Sequence, residues 1–138
     1  MEDIKKILAD AAVEARKKAY APYSGFRVGA ALLAASGKVY FGCNIENASY
    51  SPTNCAERTA FFKAISEGER EFTAIAVAGG MGELSGEICP PCGVCLQVMA
   101  EFCDADEFTV YLVKNENECE TVKLRDLLPL GFGKKRMK

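Results

Sequence analysis

With 138 residues, 49% apolar content and a formal net charge of −2, the chain is long enough to bury one core without disulfide staples. Its mixed charges offer no basic field of the kind that drives nucleic-acid binding. Seven cysteines stand beside no histidine, an odd set that reads as metal ligands plus small buried hydrophobes rather than a disulfide framework. The opening stretch carries a charge every few residues, without the apolar run of a signal peptide or a membrane span. A single domain over residues 1–138 is therefore expected, cytoplasmic, with a small molecule as partner and neither nucleic acid nor membrane.

The first predicted element is an amphipathic helix, in which Ile4, Ile7, Leu8, Ala11, Ala12, Ala15 and Ala19 keep helical spacing until Pro22 closes it. Residues 26–45, FRVGAALLAASGKVYFGCNI, follow as two strands around a tight hairpin turn at Ser36 and Gly37. CAERTAFFKAIS, residues 55–66, reads as a helix with Ala60, Phe61, Ala64 and Ile65 on one face. TAIAVAGG is a short apolar strand, and CGVCLQVMAEF a helix with Val94, Val98, Met99 and Phe102 inward. FTVYLV is a last strand, before a leucine-rich tail from Leu124 to Phe132. This alternation predicts an α/β fold, a sheet covered by helices on both faces.

The chemistry concentrates in two places. In CPPCGVC, residues 89–95, Cys92 and Cys95 are three apart at a helix start, where i and i+3 side chains share one side and two thiolates can grip one ion. Pro90 and Pro91 fix the approach, and the positive end of the helix lowers the cost of holding thiolates there. Cys55 also precedes a helix, so three thiolates could meet at two converging N-termini and leave a fourth tetrahedral position open, the mark of a catalytic site. Glu57 lies two residues beyond Cys55. Such a pair points apart inside a helix, but at its terminus both side chains reach the space ahead, where a carboxylate can move the proton of a metal-bound water.

Other readings of these cysteines stand beside that one. CxxC alone also suits a redox pair or a structural zinc knuckle. Cys89 could join Cys55, Cys92 and Cys95 in a closed four-thiolate site or an iron–sulfur cluster, although the ferredoxin spacing would want a cysteine where Met99 stands. A closed site would leave Glu57 without a water to activate. Cys43, Cys103 and Cys119 lie in or beside apolar segments and read as packing residues.

CAERTA at 55–60 with PCGVC at 91–95, YSGFRVGAALL at 23–33, GCNIENASY at 42–50 and LLPLGF at 127–132 together resemble the cytidine deaminase family in its all-cysteine zinc form. The resemblance implies a three-layer α/β/α sandwich around a mixed sheet of about five strands. It implies one Zn2+ per chain on Cys55, Cys92 and Cys95, whose hydroxide attacks C4 of cytidine or 2′-deoxycytidine while Glu57 shuttles protons and ammonia leaves, a step of pyrimidine salvage. Phe26 would flank the base, Asn44 and Glu46 would bond the ribose hydroxyls, and the backbone of Ala56 would address the pyrimidine edge. The implied assembly is a homotetramer in which Ala48, Tyr50 and Phe132 reach a neighbouring subunit's pocket.

Three thiolates on Zn2+ sum to −1, which opposes the acidity of bound water. Arg58 is the expected remedy, its guanidinium drawing charge off the sulfurs. The chain departs from the family pattern at Leu96, where many relatives have arginine, and at Asn54, where an apolar residue is usual. Two alternatives of other kinds are a deaminase of a cytosine nucleoside antibiotic of the blasticidin S type and a non-catalytic structural zinc protein.

Overall fold

A computed structural model describes residues 3–134. Its elements run α1 (Asp3–Arg16), β1 (Arg27–Ala34), β2 (Val39–Cys43), α2 (Ala56–Ser66), β3 (Phe72–Gly80), α3 (Gly93–Phe102), β4 (Thr109–Val113), β5 (Cys119–Lys123) and α4 (Leu124–Leu127). The strands form one mixed sheet in the order β2-β1-β3-β4-β5, with β3 and β4 parallel and the other pairs antiparallel. The expected mixed five-stranded α/β fold is therefore present.

Strand alternation separates the two faces. Leu32, Ile75, Val77, Val110 and Leu112 turn toward α2 and α3, where Phe61 packs edge-on to Phe72 at 5.1 Å and lies 6.1 Å from Phe108. Ala31, Ala74, Ala76 and Ala78 turn the other way, onto Leu8, Ala9 and Ala12 of α1. These small residues let α1 approach closely; a Cβ at Gly29 would lie 2.1 Å from the Ala12 carbonyl oxygen.

Topology positions the site. β2 and β3 are both antiparallel to β1, hence parallel to each other, and α2 joins them across β1. α3 makes the crossover that the parallel β3–β4 pair requires. Both helices therefore begin beyond the carboxyl ends of parallel strands, the edge where α/β sheets place ligands.

Three sequence expectations need correction. α1 stops at Arg16, short of Ala19 and well before Pro22. The Arg16 guanidinium donates to the carbonyls of Arg27, Gly80 and Gly82, and the chain then leaves to pair Tyr20 with Asn44 and Glu46. Ile4 and Ile7 are exposed, because the alanine stripe beside them makes the contact with the sheet. Val94 is exposed as well, since the inward line of α3 runs through Cys95, Leu96 and Met99. The place of the fifth strand, β5, escapes the residue pattern: its CETVK sequence forms a half-exposed edge strand with too little apolar alternation to register.

Candidate active site

Cys55 is the N-cap of α2 and Cys92 the N-cap of α3, both with extended backbone, and Cys95 lies within the first turn of α3. Their side chains meet. Cys92 Sγ is 3.7 Å from Cys55 Sγ and 3.5 Å from Cys95 Sγ, and all three sulfurs lie within 4.8 Å of one another. Zn–S bonds of about 2.3 Å in a tetrahedron would set sulfurs about 3.8 Å apart, so the donor set fits zinc in both chemistry and spacing. Cys95 is buried, Cys55 half-buried and Cys92 exposed, which gives the cluster one side toward solvent. Among the described residues it is the one such group of metal-ligating side chains.

The electrostatics are those of one shared negative charge. A hydrogen bond from Cys95, helped by the Arg58 guanidinium and Cys92, outweighs burial and holds the Cys55 thiol at about 5. The same bond, with burial, drives Cys95 upward. These opposite shifts belong to the pair: one thiol loses its proton more readily because the other keeps its own. Arg58 Nη2 donates to Cys55 Sγ at 3.1 Å, and the guanidinium also interacts with Cys95. Its Nε is buried without a partner. Leu96 contributes no second cation there, being packed into the core beneath α3.

Glu57, in the first turn of α2, is only 4% exposed. Burial, with the Cys55 charge adding to it, lifts its carboxyl to about 7, in the range suited to proton transfer at neutral pH. Cys89 stays outside the thiol cluster. Its Sγ packs against Gly79, where a Cβ would lie 2.8 Å away, and burial followed by the nearby charges of Glu57, Cys55 and Cys92 pushes its thiol up to about 11. Phe26 borders the same place, its Cε1 3.1 Å from that Cβ position.

Residues 44–46 extend β2 beyond Cys43. Tyr20 flanks them on one side and Asn54 on the other, through paired Ile45 and Asn54 backbone bonds that lead directly into Cys55. The Asn54 side chain donates to Thr59 Oγ1, which lies 3.1 Å from the carbonyl oxygens of both Cys43 and Cys55. Thr59, absent from the sequence reading, thereby joins the end of β2 to the start of α2.

Asn44 Nδ2 donates to the Phe26 carbonyl and its Oδ1 accepts from the Val28 N–H, each at 2.8 Å. Glu46 Oε1 accepts the backbone N–H groups of Tyr23 and Ser24 at 3.0 and 3.1 Å, and its Oε2 accepts the Ser24 hydroxyl. Those bonds, the Ser24 hydroxyl's foremost, keep the Glu46 carboxyl below its usual range. Both side chains thus hold the loop that carries Phe26, a task the sequence reading did not assign them. Ala56 is fully buried at the start of α2, and its carbonyl would be 2.2 Å from a Cβ at Gly42.

Ala48, Tyr50 and Phe132 are exposed. Tyr50 lines a shallow cavity of about 220 Å³ with Tyr23, Ser24 and Glu46. Phe132 accepts from Gln97 Nε2 at 2.7 Å and borders a groove of about 690 Å³ at the far end of α3. That groove is larger but contains none of the three clustered thiols.

Residues 1–112 match the family model described as the cytidine and deoxycytidylate deaminase zinc-binding region. The chain belongs to this family. It is a zinc-binding hydrolytic deaminase, 51% identical over 132 residues to a cytidine deaminase of Sporosarcina psychrophila, covering 96% of this chain and 93% of that one. A cytidine deaminase of Halalkalibacterium halodurans is also 51% identical, over 93% of each chain. Among solved structures, cytidine deaminase from Burkholderia pseudomallei superposes with a TM-score of 0.83 at 47% identity, over 96% of this chain and all of that one. The Mycobacterium tuberculosis enzyme gives 0.80 at 37%, over 96% and 99%.

Proposed function

We propose that this deaminase converts cytidine and 2′-deoxycytidine to uridine and 2′-deoxyuridine, with release of ammonia, in cytoplasmic pyrimidine salvage. The observation that carries the reading is a buried carboxyl, Glu57, beside three clustered thiols at two convergent helix starts. Zinc held by Cys55, Cys92 and Cys95 supplies Lewis acidity that lowers the pKa of water to about 7. Glu57 accepts a proton from the attacking water and delivers it to N3 of the base. It then takes the remaining proton of the hydroxyl now on C4 and passes it to the exocyclic amine as the C4–N4 bond breaks, so C4 becomes a carbonyl and ammonia departs. Arg58 withdraws charge from the ligand sulfurs, countering the excess of three thiolates.

Phe26 covers the base and the Ala56 backbone addresses its polar edge. Asn44 and Glu46 bind the sugar with the capacity their loop contacts leave: a second amide proton and lone pair on Asn44, and a remaining carboxylate lone pair on Glu46. The active form is a homotetramer in which Ala48, Tyr50 and Phe132 complete a neighbour's pocket. The exposure of Tyr50, Leu130 and Phe132, at 87%, 92% and 62%, supports that assembly.

The test is an assay of ammonia release and cytidine absorbance over cytidine, 2′-deoxycytidine, free cytosine and a blasticidin-type nucleoside, with zinc stoichiometry measured alongside. Turnover of the first two with one zinc per chain is expected. Preference for the antibiotic nucleoside, or bound zinc without ammonia release, would contradict the reading.

A further inference from the structure

The loop before β1 is wrapped around one carboxylate. Gly25 donates its N–H to the Ala21 carbonyl at 2.9 Å and turns at φ 70°, a left-handed conformation that glycine adopts without strain. This turn aims the N–H groups of Tyr23 and Ser24 at Glu46 Oε1 and the Ser24 hydroxyl at Oε2. The hydroxyl has one proton, and Glu46 takes it. Ser24 Oγ therefore meets its other neighbour as an acceptor, and that neighbour is the Phe26 N–H at 3.0 Å.

The Phe26 backbone is thus held on both sides, its N–H by Ser24 and its carbonyl by Asn44. Both side chains proposed to bind the sugar hold it: Asn44 directly, and Glu46 through a single hydroxyl. The Phe26 ring in turn rests over Gly79, whose missing Cβ makes room for it. Linked hydrogen bonds of this kind polarise one another, so a change at the carboxylate is felt at the Phe26 N–H.

We infer that Ser24 is a positioning residue that couples sugar recognition at Glu46 to the seating of the base against Phe26. The inference rests on the roles proposed above for Glu46 and Phe26. An alanine at position 24 leaves the Phe26 N–H without its acceptor and removes one of the donors to Glu46. Sugar and ring would then be placed independently, and binding would suffer while the proton transfers at Glu57 would not.

Steady-state kinetics on the zinc-loaded enzyme with cytidine test this. Ser24→Ala should raise KM about tenfold, the scale of a lost bond to a charged group, with kcat and zinc content unchanged. Ser24→Thr, which retains the hydroxyl, should restore KM to within about twofold of wild type. In a Phe26→Ala background, Ser24→Ala should raise KM by clearly less than it does alone, because only the lost support of Glu46 remains and the ring it positions is gone. An unchanged KM in Ser24→Ala, a full effect in the Phe26→Ala background, or a fall in kcat accompanied by zinc loss would each overturn the inference. A wild-type enzyme inactive on cytidine would instead overturn the function on which it rests.

Discussion

The two faces of the sheet are built from the same strands and differ in what they ask of their helices. On the α1 face, alanines and Gly29 bring the helix close against β1 and β3, and the contact is pure packing. On the other face, Ile75, Val77, Phe61 and Phe108 support α2 and α3 from below, while their N-termini carry Cys55, Glu57, Cys92 and Cys95. The difference teaches where chemistry settles in this fold. It gathers at helix starts, where unpaired N–H groups and the dipole favour negative charge, above a core that holds the two starts in register.

That contrast can be broken most severely at Glu57. Glu57→Gln keeps the size and helix position of the side chain but removes its proton exchange, so turnover should fall about 10²- to 10⁴-fold with zinc content intact. Full activity in that variant would remove Glu57 from its role. Phe61→Ala tests the supporting core: unfolding in denaturant should show a loss of about 3–5 kcal/mol, and a loss below about 1 kcal/mol would mean that the ring cluster is not what holds α2. Gly29→Ala probes the other face, where a side chain would collide with the α1 backbone. A destabilisation of about 3 kcal/mol is expected, with the activity of the remaining folded enzyme unaltered. Loss of specific activity there would show that α1 reaches the chemistry.

The Glu57 carboxyl also makes stability depend on pH. Its folded value of about 7 lies above the ordinary 4.5, so between those values the folded state keeps a proton that the unfolded chain has lost. Its contribution is complete below about pH 4.5 and disappears as pH rises through about 7. In zinc-stripped protein, wild type should therefore lose about 3 kcal/mol relative to Glu57→Gln across that window. Parallel stability curves would count against the burial argument. The smallest effect belongs to Ile7, 57% exposed on α1, where alanine should change stability by less than about 0.5 kcal/mol.

Much of this was legible in the chain because its central strands and helices are strongly patterned. Continuous apolar runs in β1 and β3, and the Ser36-Gly37 turn, specify buried strands and a hairpin without tertiary information. The thiol cluster was legible because Cys92 and Cys95 share a helical turn and Cys55 has its own helix start. β5 was hidden by Glu120 and Lys123 on an exposed edge, although Asn115 to Glu118 before it is turn-rich and Thr121–Val122 suits a strand. The end of α1 depended on carbonyls of Arg27, Gly80 and Gly82, which are remote in sequence or outside the helix pattern. The loop network was hidden for the same reason: Ser24 two residues before Phe26 hints at a local hydroxyl turn, but Glu46 reaches it only through the fold.

X-ray absorption at the zinc edge tests the central claim most directly. Three sulfurs at about 2.3 Å and one lighter oxygen ligand at about 2.0 Å, with one zinc per chain, are the expected result. Four sulfurs would mean that Cys89 closes the site, leaving Glu57 no water to act upon, and would contradict the account.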